Sequence, residues 1–112
     1  MGSDKAAVRP EIVNVAQYEA WNGYEGRHWA DHYDRYDAGN GGFNDHLLEG
    51  AAIGPRDRVL DIGCGSGQIT RLVARQARLG DATGVDLSAP MLARARLLAE
   101  REGVENIAFH QG

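Results

Sequence analysis

A glycine-rich stretch, VLDIGCGSGQIT at residues 59–70, constrains this chain more than any other feature. It lies between a short apolar segment, predicted to be a buried strand, and an amphipathic segment, predicted to be a helix. A helix that begins directly after such a turn presents backbone N–H groups and the positive end of its dipole. Glycine tolerates positive φ and lets a ligand approach the backbone closely. The stretch therefore predicts a ligand-binding loop at the end of a strand.

Strand and helix patterns alternate regularly from this stretch onward. The strand candidates are RVLDI, ATGVDL and NIAFHQ, and the helix candidates between them are QITRLVARQARLG and SAPMLARARLLAEREG. Ser88 is predicted to cap the second helix, while Gly80 and Gly103 are predicted to end the two helices. The alternation predicts an α/β fold with a parallel sheet of three strands in spatial order 3-2-1, joined by right-handed crossovers.

Residues 1–54 predict a helical cap in front of this sheet. A short helix, a break at residues 23–26 and a second helix near residues 27–37 fit the pattern, and Asn44 is the predicted N-cap of a further helix. Trp29, Tyr33 and Tyr36 share one face of the second helix. We interpret this aromatic face as core packing of the cap, with the alternative that Tyr36 or its neighbours face a ligand pocket.

Composition limits the classes of partner. The chain has 112 residues and a net charge of −4, so no basic surface for nucleic acid is expected. No apolar run is long enough to span a membrane and no secretory signal is evident, which predicts a cytoplasmic location without membrane contact. The arginines of the two helices are predicted to be solvated; they are Arg71, Arg75, Arg78, Arg94, Arg96 and Arg101.

The cysteine and a pair of histidines are not predicted to act in catalysis or metal binding. Cys64 is the only cysteine, so no intrachain disulfide can form, and no partner base for a nucleophilic thiol is apparent. His28 and His32 are one helical turn apart but lack a third ligand, so no metal site is predicted.

The spacing of the glycines separates three candidate ligands. A nucleoside triphosphate loop needs the pattern G-x-x-x-x-G-K-[ST], and this stretch has no lysine. A dinucleotide loop needs G-x-G-x-x-G, whereas here the third glycine, Gly67, comes one residue early. S-adenosylmethionine, which has no pyrophosphate, is the remaining candidate. Asp86 ends the second strand and can accept hydrogen bonds from ribose hydroxyls, although it would serve NAD equally well.

The motifs DIGCGSG and DLSAPML together resemble the first two cofactor motifs of class I S-adenosylmethionine-dependent methyltransferases. Within that family the chain is similar to the small-molecule branch of ubiquinone/menaquinone C-methyltransferase-like proteins, with methyltransferase domains of type 11/25. The likeness runs from residue 34 to the end and is strongest over residues 59–95. It implies a Rossmann-like fold, with residues 55–112 forming the N-terminal half of an S-adenosylmethionine-binding domain.

The resemblance also implies roles for individual residues. The backbone of the loop would contact the methionine part of the cofactor, Asp61 its amino group, and Asp86 its ribose, while two apolar residues would pack against the adenosine. The complete implied set is Asp61, Gly63, Cys64, Gly65, Gly67, Asp86, Leu87 and Met91. It contains no catalytic residue.

The expected function is methyl transfer to a small-molecule acceptor rather than to nucleic acid. The chain would supply the cofactor-binding half, would be inactive alone, and would leave an unpaired edge on its first strand as a site of self-association. Two alternatives stay open. One is a non-catalytic cofactor-binding or interaction module, and the other is a fragment of an NAD(P)- or flavin-dependent oxidoreductase.

Overall fold

The computed structural model describes residues 11–33 and 44–112. The helices are α1 (Val15–Asn22), α2 (Tyr24–Asp31), α3 (44–51), α4 (Gln68–Gln76) and α5 (Ala89–Arg101), and the strands are β1 (Arg58–Ile62), β2 (Asp81–Asp86) and β3 (Ile107–Gln111). The strands form a parallel sheet in the order β1-β2-β3, which confirms the predicted fold class and strand order. In the described ranges, no helix has the length and apolarity to cross a bilayer.

Both hydrophobic clusters of the core lie on one face of the sheet. Ala82 of β2 pairs with Ile107 of β3, and Gly84 pairs with Phe109 two residues further along, so all four positions face the same side. Ala82 packs in a cluster with residues of α3 and α4, and Phe109 packs in a cluster with residues of α5. Ile107 contacts both clusters, so helices α3, α4 and α5 share one continuous apolar layer.

The opposite face of β1 is apolar and exposed. Leu60 and Ile62 have 60% and 78% of their surface accessible, because no described element covers them. β1 also pairs on one side only, with β2, within the part of the chain that the structure describes.

A phenyl ring fills the space next to two glycines. A Cβ added at Gly84 would lie 2.7 Å from the Phe109 ring and 2.8 Å from the sulfur of Cys64. A Cβ at Gly67 would lie 2.9 Å from the same ring and 3.1 Å from Ala95. The loop, β2 and β3 therefore pack together around Phe109, which is itself 6% exposed.

The ends of the two crossover helices differ in how well local signals predict them. Ser88 caps α5 as predicted, its hydroxyl accepting from the Met91 N–H at 3.3 Å, and Gly103 follows the helix with a φ of 68°. Helix α4 instead ends at Gln76, before Gly80. Gly80 is required for another reason, since a Cβ there would lie 1.9 Å from the carbonyl oxygen of Asp57.

The cap differs from its prediction in detail. The break between α1 and α2 is at Gly23 alone, and Gly26 lies inside α2, where it lets the helix approach the Ser88 hydroxyl closely. The predicted helix over residues 27–37 therefore begins at Tyr24, and its last part, with Tyr36, lies outside the described residues. Asn44 is itself helical and buried. The division of the chain at residues 54 and 55 stays a prediction.

Candidate functional site

The glycine-rich loop follows β1 directly and turns through three left-handed residues. Gly63, Gly65 and Gly67 have φ angles of 74°, 56° and 82°. These angles are strained for residues that carry a Cβ, which explains the alternating glycines of the sequence.

The backbone N–H groups of the loop are largely engaged within the protein. Gly63 and Cys64 both donate to the carbonyl oxygen of Val85, at 2.7 and 3.0 Å, and Gly67 donates to the carbonyl of Cys64 at 2.9 Å. Gly65 donates to the Asp86 carboxylate at 2.8 Å. These four groups are thus not arranged as a cradle for an anion, contrary to the general expectation for a loop that precedes a helix.

Asp86 holds the loop to the start of α5. One carboxylate oxygen accepts from Gly65, and the other accepts from the Ser88 N–H at 2.9 Å. An ionised carboxylate offers about four acceptor positions. Asp86 can therefore hold both backbone groups and still accept hydrogen bonds from a ligand.

Asp61 is a second carboxylate close to the loop. The hydroxyl of Thr70 donates to it at 2.6 Å. Burial raises the pKa of Asp61 above its ordinary value, the Thr70 hydrogen bond opposes that rise, and the negative charge of Asp86 adds to it. The two carboxylates therefore repel each other, and a cationic group between them would be stabilised.

Cys64 has no character of a reactive thiol. Burial raises the pKa of its thiol to about 12, and the charges of Asp86 and Asp61 add to the rise. Because the thiolate is the nucleophilic form, this environment supports the interpretation of Cys64 as a small residue of the loop.

Among the described residues, no group of three or more metal-ligating side chains could hold an ion. His28 and His32 instead contact each other, with ring centroids 4.4 Å apart.

A cavity of about 400 Å³ opens beside the loop. The residues lining it are Trp21, Trp29, Tyr33, Asn44, Gly63, Cys64, Gly65, Ser66, Gln68, Ile69, Asp86 and Met91. Five of the eight predicted site residues are among them. Asp61, Gly67 and Leu87 are not: Gly67 faces Phe109, and the Leu87 carbonyl accepts from Asn22 and Gln111 side chains.

The cap contributes a wall that the main interpretation of the sequence missed. Trp29 and Tyr33 line the cavity together with Trp21, whose ring centroid lies 6.2 Å from that of Trp29. The interpretation of Trp29, in α2, and Tyr33, just after α2, as core packing is therefore wrong. The spacing of these aromatic residues on one helix face was the available signal. Such a face can pack in a core or line a ligand cavity, and the spacing alone does not distinguish the two.

Two polar side chains of the cavity were also missed. Asn44 is 5% exposed, and its amide donates a short hydrogen bond to the side chain of Gln68, at the start of α4. Nothing in the local sequence distinguishes this pair, since the two residues come together only when α3 packs beside the loop.

Arg71 is a correction to the expectation that the helix arginines are solvated. It is 6% exposed; its guanidinium donates to the carbonyl of Ser66 at 2.7 Å and pairs with Glu102 at 2.9 Å. The side chain therefore links the back of the loop to the end of α5. The exposed Arg75 pairs with the same carboxylate.

Comparison with known proteins identifies the segment that carries this loop. The family model described as "Methyltransferase domain" matches residues 59–112. A methyltransferase of Geobacter sulfurreducens, solved with S-adenosyl-L-homocysteine, is 36% identical with a TM-score of 0.54, over 62% of this chain and 28% of that one. Residues 59–112 are therefore similar to methyltransferase domains, which supports the predicted family for this segment of the chain.

Curated relatives of this segment are named for different acceptors. The 23S rRNA (uracil(1939)-C(5))-methyltransferase of Xanthomonas euvesicatoria is 45% identical over 56 residues, 50% of this chain and 12% of its own length. The ubiquinone biosynthesis O-methyltransferase of Acinetobacter baumannii is 41% identical over 54 residues, 48% of this chain and 22% of its own length. The chain thus spans less than a quarter of either relative, and the matched segment does not select between the acceptors.

Proposed function

We propose that this chain is the cofactor-binding part of an S-adenosylmethionine-dependent methyltransferase and that the cavity beside the loop holds the cofactor. The observation that carries the proposal is the charge of the site. Asp86 lines the cavity and interacts electrostatically with Asp61, and no lysine or arginine is among the described lining residues. S-adenosylmethionine has a net positive charge, because its ammonium and sulfonium outweigh its one carboxylate, whereas a dinucleotide would bring two phosphate anions to the loop next to these carboxylates.

The shape of the loop supports the same ligand. Within residues 11–33 and 44–112, no atom apart from those of Gly63 and its two chain neighbours lies within 4 Å of the position of a Cβ at Gly63, so a ligand can contact the backbone there. The N–H groups that a pyrophosphate would need are engaged by Val85, Cys64 and Asp86. Both observations disfavour the NAD(P)- or flavin-dependent alternative.

The proposed residue roles follow the family resemblance, and five of these residues line the cavity. Asp86 would accept from the ribose hydroxyls through its free acceptor positions, and Met91 would pack against the adenosine with Leu87. Asp61 would accept from the amino group, directly or through water. The loop residues Gly63, Cys64 and Gly65 would contact the methionine part, and Gly67 would maintain the turn that presents them.

The chain's contribution to the reaction is binding and orientation. When bound, the cofactor supplies an already activated methyl group, so alignment of donor and acceptor accounts for much of the rate enhancement. The carboxylates keep the cationic ligand in one orientation, and the aromatic wall excludes water. No described residue is assigned as a general base.

We propose a small-molecule acceptor of the kind used by ubiquinone-branch enzymes. The net charge of −4 and the ubiquinone O-methyltransferase relative support this class, while the rRNA methyltransferase relative supports the competing one. Fluorescence anisotropy with a labelled RNA hairpin at low salt tests whether the acceptor is a small molecule or RNA. Tight, salt-sensitive binding would overturn the small-molecule assignment.

Three further expectations belong with this proposal. We propose that copies of the chain associate through β1, where Leu60 and Ile62 are exposed; a monodisperse monomer at tens of micromolar in light scattering would contradict this. Residues 1–54 are proposed as a cap and residues 55–112 as the cofactor-binding part. A cytoplasmic location stays a prediction from composition.

The decisive experiment is calorimetric titration of the chain with S-adenosyl-L-homocysteine. We expect binding, and a loss of at least about tenfold in affinity for Asp86→Asn, which keeps the size of the side chain but removes its charge. Asp81→Asn is the matched control, since Asp81 is an acidic residue at the other end of β2 that pairs with Arg58. Absence of binding, or equal affinity for NADH, would reject the proposal.

A further inference from the structure

The side-chain amide of Asn22, the last residue of α1, makes three hydrogen bonds from the cap to the sheet segment and one within its own helix. Its nitrogen donates to the carbonyl of Leu87 at 2.9 Å and to that of Tyr18 at 2.7 Å. Its oxygen accepts from the Ala89 N–H at 2.7 Å and from the Gln111 amide at 3.2 Å. All four hydrogen-bonding positions of the amide are thereby occupied.

The groups that Asn22 contacts frame the turn between β2 and α5. Leu87 and Ala89 stand on either side of Ser88, directly after Asp86. The Ser88 hydroxyl makes a short hydrogen bond to the carbonyl of Trp21, so a second contact joins the same two segments. The cap is thus attached beside the carboxylate that is proposed to bind the ribose.

The attachment sets the position of the aromatic wall. Trp21 precedes Asn22 directly, and its ring lies beside that of Trp29, which also lines the cavity. Tyr33 completes the wall under the guanidinium of Arg94, 5.4 Å from the ring centroid. No residue of α1 is fully buried, so its polar contacts add to the packing of Trp21 on Trp29 in fixing its location.

We propose that Asn22 is a positioning residue that holds the aromatic wall of the cap over the bound cofactor and thereby slows its dissociation. This inference rests on the proposed function, because it requires that the cavity binds S-adenosylmethionine. Asn22 itself does not line the cavity. Its effect is therefore transmitted through Trp21 and the residues that pack on it.

The test measures dissociation and association rates of S-adenosyl-L-homocysteine separately, by stopped-flow tryptophan fluorescence. For Asn22→Ala we expect dissociation to become about tenfold faster, equivalent to the loss of one or two hydrogen bonds, with association changed less than about twofold. Asn22→Asp keeps the shape and the two acceptor contacts, but it loses donation to Leu87 and Tyr18 and sets a charged oxygen against their carbonyl oxygens. Dissociation at least as fast as in Asn22→Ala is therefore expected. Glu19→Ala, on an exposed position of the same helix, is the control and should match wild type.

A double-mutant cycle with Trp29→Ala separates positioning from general destabilisation. If Asn22 acts by placing the wall, Asn22→Ala adds little to dissociation once Trp29 has been truncated, so the two effects are not additive. Additive effects, or an unchanged dissociation rate in both Asn22 variants, would overturn the inference while leaving the proposed function intact. Failure of the wild-type chain to bind the ligand would instead reject the proposed function.

Discussion

The sheet segment and the cap are stabilised in different ways. From β1 to β3, apolar side chains of α4 and α5 pack against the sheet, and Leu92, Ala95 and Ala74 are almost completely buried. In the cap, α1 buries no side chain and α2 buries only Gly26 and Ala30. The large aromatic side chains of the cap line a cavity instead of filling a core. The comparison indicates that the sheet segment carries most of the stability and most of the cavity lining, whereas α1 and α2 contribute mainly one wall of the cavity.

The largest expected effect is on the free energy of unfolding, when one aromatic residue in each region is truncated to alanine. Phe109→Ala should lower the free energy of unfolding by about 3–5 kcal/mol, because it empties a buried site between two glycines and α5. Trp29→Ala, at a residue 37% exposed, should change it by less than about 1 kcal/mol. Urea denaturation followed by circular dichroism gives both values. Equal losses in the two variants would contradict the division between the regions.

A second experiment compares two arginines of α4 that share one carboxylate. Arg71→Met should cost about 1.5–3 kcal/mol, because it leaves the Ser66 carbonyl and Glu102 without a buried charged partner. Arg75→Met, at a side chain 48% exposed, should cost at most about 1 kcal/mol. Thermal denaturation of both variants measures the difference. A smaller effect for Arg71 than for Arg75 would show that the buried link does not support the loop.

The smallest expected effect is on the pH dependence of stability that the raised pKa of Asp61 causes. Burial raises the pKa of this carboxyl in the folded protein, so stability falls as the pH rises from the ordinary pKa of an aspartate through the raised one. Asp61→Asn should remove this fall, giving a flatter stability profile and a slightly higher Tm at neutral pH. Ligand affinity should decrease in the same variant. Thermal scans between pH 4 and 7 check the sign, and a steeper profile in the variant would refute it.

Local signals predicted the sheet segment well and the cap less well. Ser88 and Gly103 define their helix ends through contacts with near neighbours in sequence, so the pattern alone was sufficient. Gly80 and Arg71 depend on partners brought close by folding, the Asp57 backbone and Glu102, and were misassigned.

The candidate site shows the same distinction. The loop and Asp86 were evident because their spacing is local to a strand and its neighbour. Trp21, Asn44 and Gln68 come from separate segments, and no periodicity could place them in one cavity. The attachment of the cap through Asn22 was likewise invisible, since its partners lie far along the chain.

The packing of Phe109 against Gly67 and Gly84 also constrains how this sequence can diverge. A methyl group at either glycine would need space that the ring now occupies, and a smaller side chain at residue 109 would leave that space empty. Substitutions at the three positions are therefore coupled: a lineage that gains alanine at residue 84 should first, or simultaneously, lose the aromatic ring. Among homologues, we therefore expect alanine at the position of Gly84 to occur together with leucine, rather than phenylalanine, at the position of Phe109.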